Sequence, residues 1–276
     1  MKNSVIVFVF LFICCGIHAQ GNALPPEERL MQINDSIVNE GEALYTADIM
    51  SWWLTDYFFS RQHEAKEIGG SLVHALNDSV YSALFVNKER DKCIFELRLN
   101  VTSDETYVID SVRPMTENES EKLADRQAKI EKVIEQYRDS MTWISPEEGR
   151  FNWDLLYIND QARLYVLQGV TKGGIIPFGN DYSFDFDENN KITKFRRHHK
   201  SFLPLPLTME DGTEVEEIVH SHLRDNPYIT ATDICNFLLY GMPAGVKSFS
   251  VISTYYNCYF KFSFSDGNKI TVKKIE

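Results

Sequence analysis

EVEEIVHSHLRDNPYITATDICNFLLYG, residues 214–241, changes its period halfway along. Its first nine residues alternate as a strand does, with Val215, Glu217 and Val219 on one face and Glu216, Ile218 and His220 on the other. From Thr230 the spacing becomes helical. Thr230 is a cap residue, Ile234, Phe237 and Leu238 fall on one inner face, and Gly241 ends the run. The stretch therefore predicts a strand, a loop and a short helix that folds back over the strand end.

Working outward, the flanking sequence is rich in strand patterns. Residues 151–158, 162–169, 182–187 and 191–197 precede the stretch, separated by turn chemistry in TKGG (171–174) and DENN (187–190). Residues 248–253, 256–264 and 269–275 follow it, the last two joined by a DGN turn at 266–268. The N-terminal part reads differently. Residues 28–60 carry Leu44, Ile49, Trp52, Trp53, Tyr57 and Phe58 at helical spacing, an aromatic stripe of the kind that builds cores. Strand patterns at 80–87, 93–100 and 106–112 then predict an antiparallel meander. A second helix opens at Thr116, which with Glu119 has capping-box spacing, and presents Leu123, Ile130, Val133, Ile134 and Tyr137. ISPEEG (144–149) breaks it. The expected class is α+β. A linker (21–27) leads to a helix plus antiparallel sheet (28–115), and a mixed α/β domain with a strand-rich sheet follows (116–276).

Composition narrows the function. The chain has 276 residues, 43% hydrophobic and 13% aromatic, enough for a substantial core. Its formal charge of −12 excludes a general nucleic-acid binder, which needs cations to neutralise phosphates. The one tight basic cluster, KFRRHHK (194–200), reads as a solvated strand face, with His198 and His199 on opposite sides. Residues 1–20 have a secretory layout: Lys2, an apolar run over 5–13, then small and polar residues around Ala19. That run is too short to span a bilayer, and no later stretch is apolar for long enough. An exported protein, periplasmic or secreted, with no transmembrane segment in its mature chain is expected. Cys14 and Cys15 raise a lipid-anchored alternative, but Ile13 is larger than the residue such signals place before their cysteine. Cys93, Cys235 and Cys258 then remain, an odd number that implies no complete disulfide framework; three buried thiols are expected, with a single pair among them as the alternative.

The candidate chemistry lies in the opening stretch. On a strand His220 and His222 share a face, their backbones about 6–7 Å apart, so both rings can reach one ion. Asp233, in the first turn of the following helix, supplies a third ligand. Two imidazoles and one carboxylate leave a tetrahedral position for water, the composition of a catalytic zinc site. The alternative is bland: two ordinary strand histidines and a carboxylate favoured at a helix start.

His220-Ser221-His222, seven residues, then Thr230-Ala231-Thr232-Asp233 resembles the H-x-H-x7-S-x-x-D signature of the JAMM (JAB/MPN) zinc metalloproteases. The order of helices and strands from about residue 116 onward is similar too. The resemblance implies zinc on His220, His222 and Asp233, with Thr230 in the place of a serine that stabilises an oxyanion. It also implies a glutamate as general base. SPEEG supplies Glu147 and Glu148, of which Glu148 is the candidate, though its spacing to glycine departs from the family. Glu214, Glu216 and Glu217 lie on the histidine strand itself and match less well. Leu223 stands where the family has proline. The implied function is hydrolysis of peptide or isopeptide bonds in a protein or peptide substrate. The alternative is an inactive JAMM-like binding or structural module of the cell envelope.

Overall fold

The computed structural model describes residues 5–8, 21–145, 147–264 and 267–275. It is α+β, and its contacts divide the chain into two compact units, one of residues 1–45 with 141–276 and one of residues 46–140. Strand β1 (Val5–Phe8) comes first, then helix α1 (Glu27–Ser60). Residues of α1 up to Tyr45 belong to the first unit and the rest to the second.

In the second unit, β2 (Gly70–Ala75), β3 (Val80–Val86), β4 (Lys92–Asn100) and β5 (Glu105–Ile109) form an antiparallel sheet in that order. A two-residue strand, β6 (Arg113–Pro114), pairs with the start of β4, and helix α2 (Glu117–Tyr137) follows. Alternation assigns the two faces of the sheet, with a bulge in the β3–β4 pairing that puts Cys93 on the face opposite Phe95. Ala83, Phe85, Phe95, Leu97 and Leu99 pack with Met50, Leu54 and Phe58 of α1. Leu72, Leu84, Val86 and Cys93 pack with Leu123 of α2. Strand β2 escapes the sequence pattern, which opens the meander at residue 80. Leu72 is its only buried apolar residue, and its inward-facing partner two residues on is His74.

Helix α2 starts as its sequence dictates. Thr116 caps it, accepting from Glu119 N at 3.2 Å, while Glu119 accepts from Thr116 N at 2.8 Å. Arg113 grips both carboxylate oxygens of Glu119, at 2.7 and 2.8 Å, and also reaches Glu96 at 2.8 Å. Burial alone would raise the Glu119 pKa. Arg113 and the Thr116 amide outweigh it and hold the carboxyl at about 2, below its ordinary 4.5. A carboxyl depressed in the folded state stabilises fully above its unfolded pKa and loses that contribution as pH falls through the folded value. Stability of this unit is therefore expected to fall between pH 4.5 and about 2. Chemical denaturation across that range checks it, and Glu119→Gln should flatten the acid limb; an unchanged limb would reject the assignment.

The first unit continues with β7 (Gly149–Ile158), β8 (Gln161–Val170), β9 (Ile175–Phe178), β10 (Tyr182–Phe186), β11 (Ile192–Arg197), β12 (Leu203–Pro206) and β13 (Val215–His222). Helix α3 (Ala231–Asn236) runs on into one π-type turn to Gly241, and β14 (Ser248–Ser253), β15 (Cys258–Ser263) and β16 (Lys269–Lys274) close the unit. Strands β11-β10-β8-β7 form an antiparallel sheet. Strands β9 and β12 pair as a separate ribbon with Pro177 opposite Pro204. Neither ribbon strand is legible in the sequence, because proline removes ladder donors and argues against a strand. The third sheet has the order β1-β13-β14-β15-β16.

Within that third sheet β13 and β14 run parallel, joined through α3. Val215 and Val219 on one face of β13 and Ile218, His220 and His222 on the other are all buried, so its burial departs from simple alternation. The core against it comprises Phe178, Phe237, Phe249, Phe260 and Phe262, with Ile176, Ile218, Ile234 and Val251. Each fully buried phenylalanine contributes on the order of 1.5–3 kcal/mol relative to exposure.

Of the expected leader, residues 1–4 and 9–20 lie outside the described residues, and the backbone of 5–8 pairs in parallel with β13. The turn expected at 266–268 joins β15 to β16; Asp266 lies outside the described residues, and Gly267 and Asn268 take the left-handed conformation that a tight hairpin needs. Cys93, Cys235 and Cys258 are all buried.

Candidate metal centre

Three segments of the first unit bring four side chains to one point. His220 and His222, at the C-terminal end of β13, project from the same face, as strand alternation requires. Asp233 comes from α3. Thr230 caps that helix, accepting from Asp233 N at 3.2 Å. Its backbone N–H and its hydroxyl each donate to Asp233 Oδ2 at 2.8 Å. The Thr230 hydroxyl is thus engaged in orienting the carboxylate, leaving Oδ1 turned to the histidines.

The fourth group is His199, which the sequence reading missed. Strand β11 ends at Arg197, so His198 and His199 do not alternate on a strand as KFRRHHK suggested. His199 sits in the loop before β12 and is 6% exposed, while Arg197 and Lys200 on either side are exposed. Asn226 anchors that loop, its side-chain amide donating to the carbonyls of Arg197 and His198 at 2.9 and 2.7 Å. Gly179 lets the loop approach: it has φ +85°, and a Cβ there would stand 2.1 Å from the Ser201 carbonyl oxygen.

The donor atoms are closely spaced. His222 Nε2 lies 2.9 Å from His199 Nε2 and 3.2 Å from His220 Nε2. Asp233 Oδ1 lies 3.1 Å from His199 Nε2 and 3.2 Å from His220 Nε2, and Oδ2 lies 3.5 Å from His222 Nε2. For ligand bonds of about 2.0 Å the edge of a tetrahedron is roughly 3.3 Å. Asp233 Oδ1 is fully buried yet accepts no well-directed hydrogen bond despite its two close imidazole neighbours. One ligand atom from each of the four groups lies within 4.8 Å of all the others. This buried cluster, His199, His220, His222 and Asp233, can hold a metal ion.

The surroundings fit that use. His222 Nδ1 bonds the Tyr228 carbonyl at 2.6 Å, and His199 Nδ1 bonds Asp181 at 2.8 and 3.0 Å. With hydrogens on Nδ1, both rings present lone pairs on Nε2 to the cluster. Phe178 and Phe249 flank the His220 ring, at centroid distances of 4.8 and 6.3 Å. Burial pushes the His222 pKa down to about 3, keeping the ring neutral, as a metal ligand must be. Burial also opposes charge on His199, but Asp181 and Asp233 outweigh it and raise its pKa well above the usual value. Burial would raise the Asp233 pKa, yet the three histidines hold it well below the ordinary carboxylate range. In the absence of a cation, then, a proton on His199 offsets one of the two carboxylate charges beside it.

Clefts border the cluster. One of ≈ 560 Å³ has His199, His222, Leu203 and Asn226 in its wall. Another, of ≈ 680 Å³, is lined by Trp143, Gln168, His199 and the two glutamates of SPEEG. Glu148 is exposed there, and its carboxylate accepts from Ser145 N at 3.0 Å. Glu216 pairs with Lys247 at 3.0 Å, and Glu217 with Lys261 at 3.0 Å. Comparisons of the chain with protein-family models, with curated proteins and with solved structures found no match.

Proposed function

We propose that this protein binds one zinc ion through His199, His220, His222 and Asp233, and that the ion holds together a JAMM-like binding or structural module. Zinc suits the donor set, because three imidazoles and one carboxylate at tetrahedral spacing match its preferred ligands and geometry. A single observation carries the non-hydrolytic reading. His199 Nε2 sits 2.9 Å from His222 Nε2 and 3.1 Å from Asp233 Oδ1, in the position that a catalytic zinc keeps open. Four protein ligands close the coordination sphere, as structural sites do. The H-x-H and T-x-x-D elements on a strand end and a helix start support the JAMM-like kinship, and the layout of residues 1–20 supports export.

A second reading, zinc-dependent hydrolysis of a peptide or isopeptide bond, draws on the shared wall of the larger cleft, which places Glu147 and Glu148 around the same space as His199. Bound zinc supplies Lewis acidity in that reading. It requires His199 to leave the ion.

Metal analysis of the purified protein separates the readings. One zinc per chain is expected, reduced in His220→Ala and Asp233→Ala, with no turnover of a peptide and isopeptide panel by the zinc-loaded protein. Turnover lost in Glu148→Gln would favour the hydrolase; a protein free of metal after zinc exposure would reject both.

A further inference from the structure

One buried carboxylate near the cluster is not among its ligands. Asp181, fully buried, lies just before β10. Both its oxygens face the His199 Nδ1, at 2.8 and 3.0 Å, and Oδ2 also accepts from the Thr232 hydroxyl. Its own carbonyl accepts from His198 N at 3.0 Å, tying the His199 loop to the same residue. Thr232 sits on α3, one residue before Asp233. Asp181 therefore touches both segments that bring ligands from outside β13.

Charge gives this contact a second consequence. His199, His220, His222 and Asp233 are between 0 and 6% exposed, so little water is at hand to solvate a net charge. A divalent cation on three neutral imidazoles and Asp233 leaves one positive charge in excess. An uncompensated buried charge is strongly disfavoured. Asp181 supplies the missing negative charge through the His199 ring, making the buried assembly neutral for an ion of charge +2.

We infer that Asp181 is the positioning residue of this centre: it commits His199 to the ion, and it balances the charge so that the site is matched to one divalent cation. This inference rests on the zinc reading above. It goes further by assigning the grip on the fourth ligand to a residue that touches no metal. Outer partners of metal-binding histidines typically matter by about 10–100-fold in affinity.

The test is a zinc titration against a chromophoric chelator, on the full chain. Asp181→Asn keeps the shape and an acceptor oxygen while removing the charge, and it should weaken zinc binding about 10–100-fold. In a His199→Ala background the same substitution should have little further effect, because its route to the ion is gone. The cobalt(II) form should shift its visible absorption bands in Asp181→Asn, reporting altered ligation that a general loss of stability would not produce. Should Asp181→Asn fail to fold, Thr232→Val removes one hydrogen bond to Asp181 and should weaken binding in the same direction. Wild-type affinity in Asp181→Asn, or an equal loss with and without His199, would overturn the inference while leaving the zinc site standing. A wild-type protein that takes up no zinc would overturn the site and the inference together.

Discussion

Saturating zinc should raise the melting temperature of the unit that carries the cluster by roughly 8–16 °C, and a strong chelator should reverse the rise. A ligand that binds only the folded state stabilises by about 4 kcal/mol when present at about 1,000 times its Kd. For a unit of this size, 1 kcal/mol moves the midpoint by roughly 2–4 °C. The unfolded chain scatters the four ligands over 35 residues, from His199 to Asp233, so it offers the ion no comparable site. Asp233→Asn is the informative variant. Its amide oxygen preserves the cap made with Thr230, while its amide NH2 group replaces Oδ1 and meets the ion with a donor. The zinc-dependent rise should vanish in Asp233→Asn, and the metal-free midpoint should fall through loss of the carboxylate charge that the histidines stabilise. Scanning calorimetry with and without zinc measures both, and an equal rise in wild type and variant would assign the effect to binding elsewhere.

The second large effect concerns the apolar wall behind the site. Phe249, on β14, is fully buried and stacks on His220 with an interplanar angle of 7°. It also meets Phe178, Phe237 and Phe262 at centroid distances of 5.9, 5.1 and 5.6 Å. Truncating such a residue loses its transfer free energy and leaves a cavity, costing about 3–5 kcal/mol. Phe249→Ala should therefore lower stability by about that amount in urea unfolding of the metal-free protein. Phe264→Ala, at a position 50% exposed, should stay within about 0.5 kcal/mol. A Phe249→Ala loss near that of the control would mean the cluster closes around the gap.

Much of this architecture can be read locally. Thr116 with Glu119 and Thr230 with Asp233 mark both short-range helix starts, because a cap is a contact between residues three apart. Period-two alternation reveals β3, β4, β7, β8 and β13, where one hydrophobic pattern persists for seven or more residues. The pattern fails at β2, which buries a histidine, and at β9 and β12, whose prolines argue against strands. It also assigns KFRRHHK to a strand when the strand stops at Arg197. The adjacent histidines just beyond that end were the available signal for His199. Asp181 had only its place after the Gly179–Asn180 bend, where both residues take positive φ.

The sequence by itself determined three of the four donors, because strand alternation and a helix cap place His220, His222 and Asp233 by short-range geometry. Only the tertiary structure decided whether the fourth position stays open. His199 reaches it through a loop between separate strands, held by Asn226, Gly179 and Asp181, and those contacts link residues from 18 to 29 positions apart. No periodicity encodes contacts at such separations; they exist only once the sheets have packed. The motif contains three of the four side chains that gather there, and the fourth, a histidine outside it, arrives only with the fold.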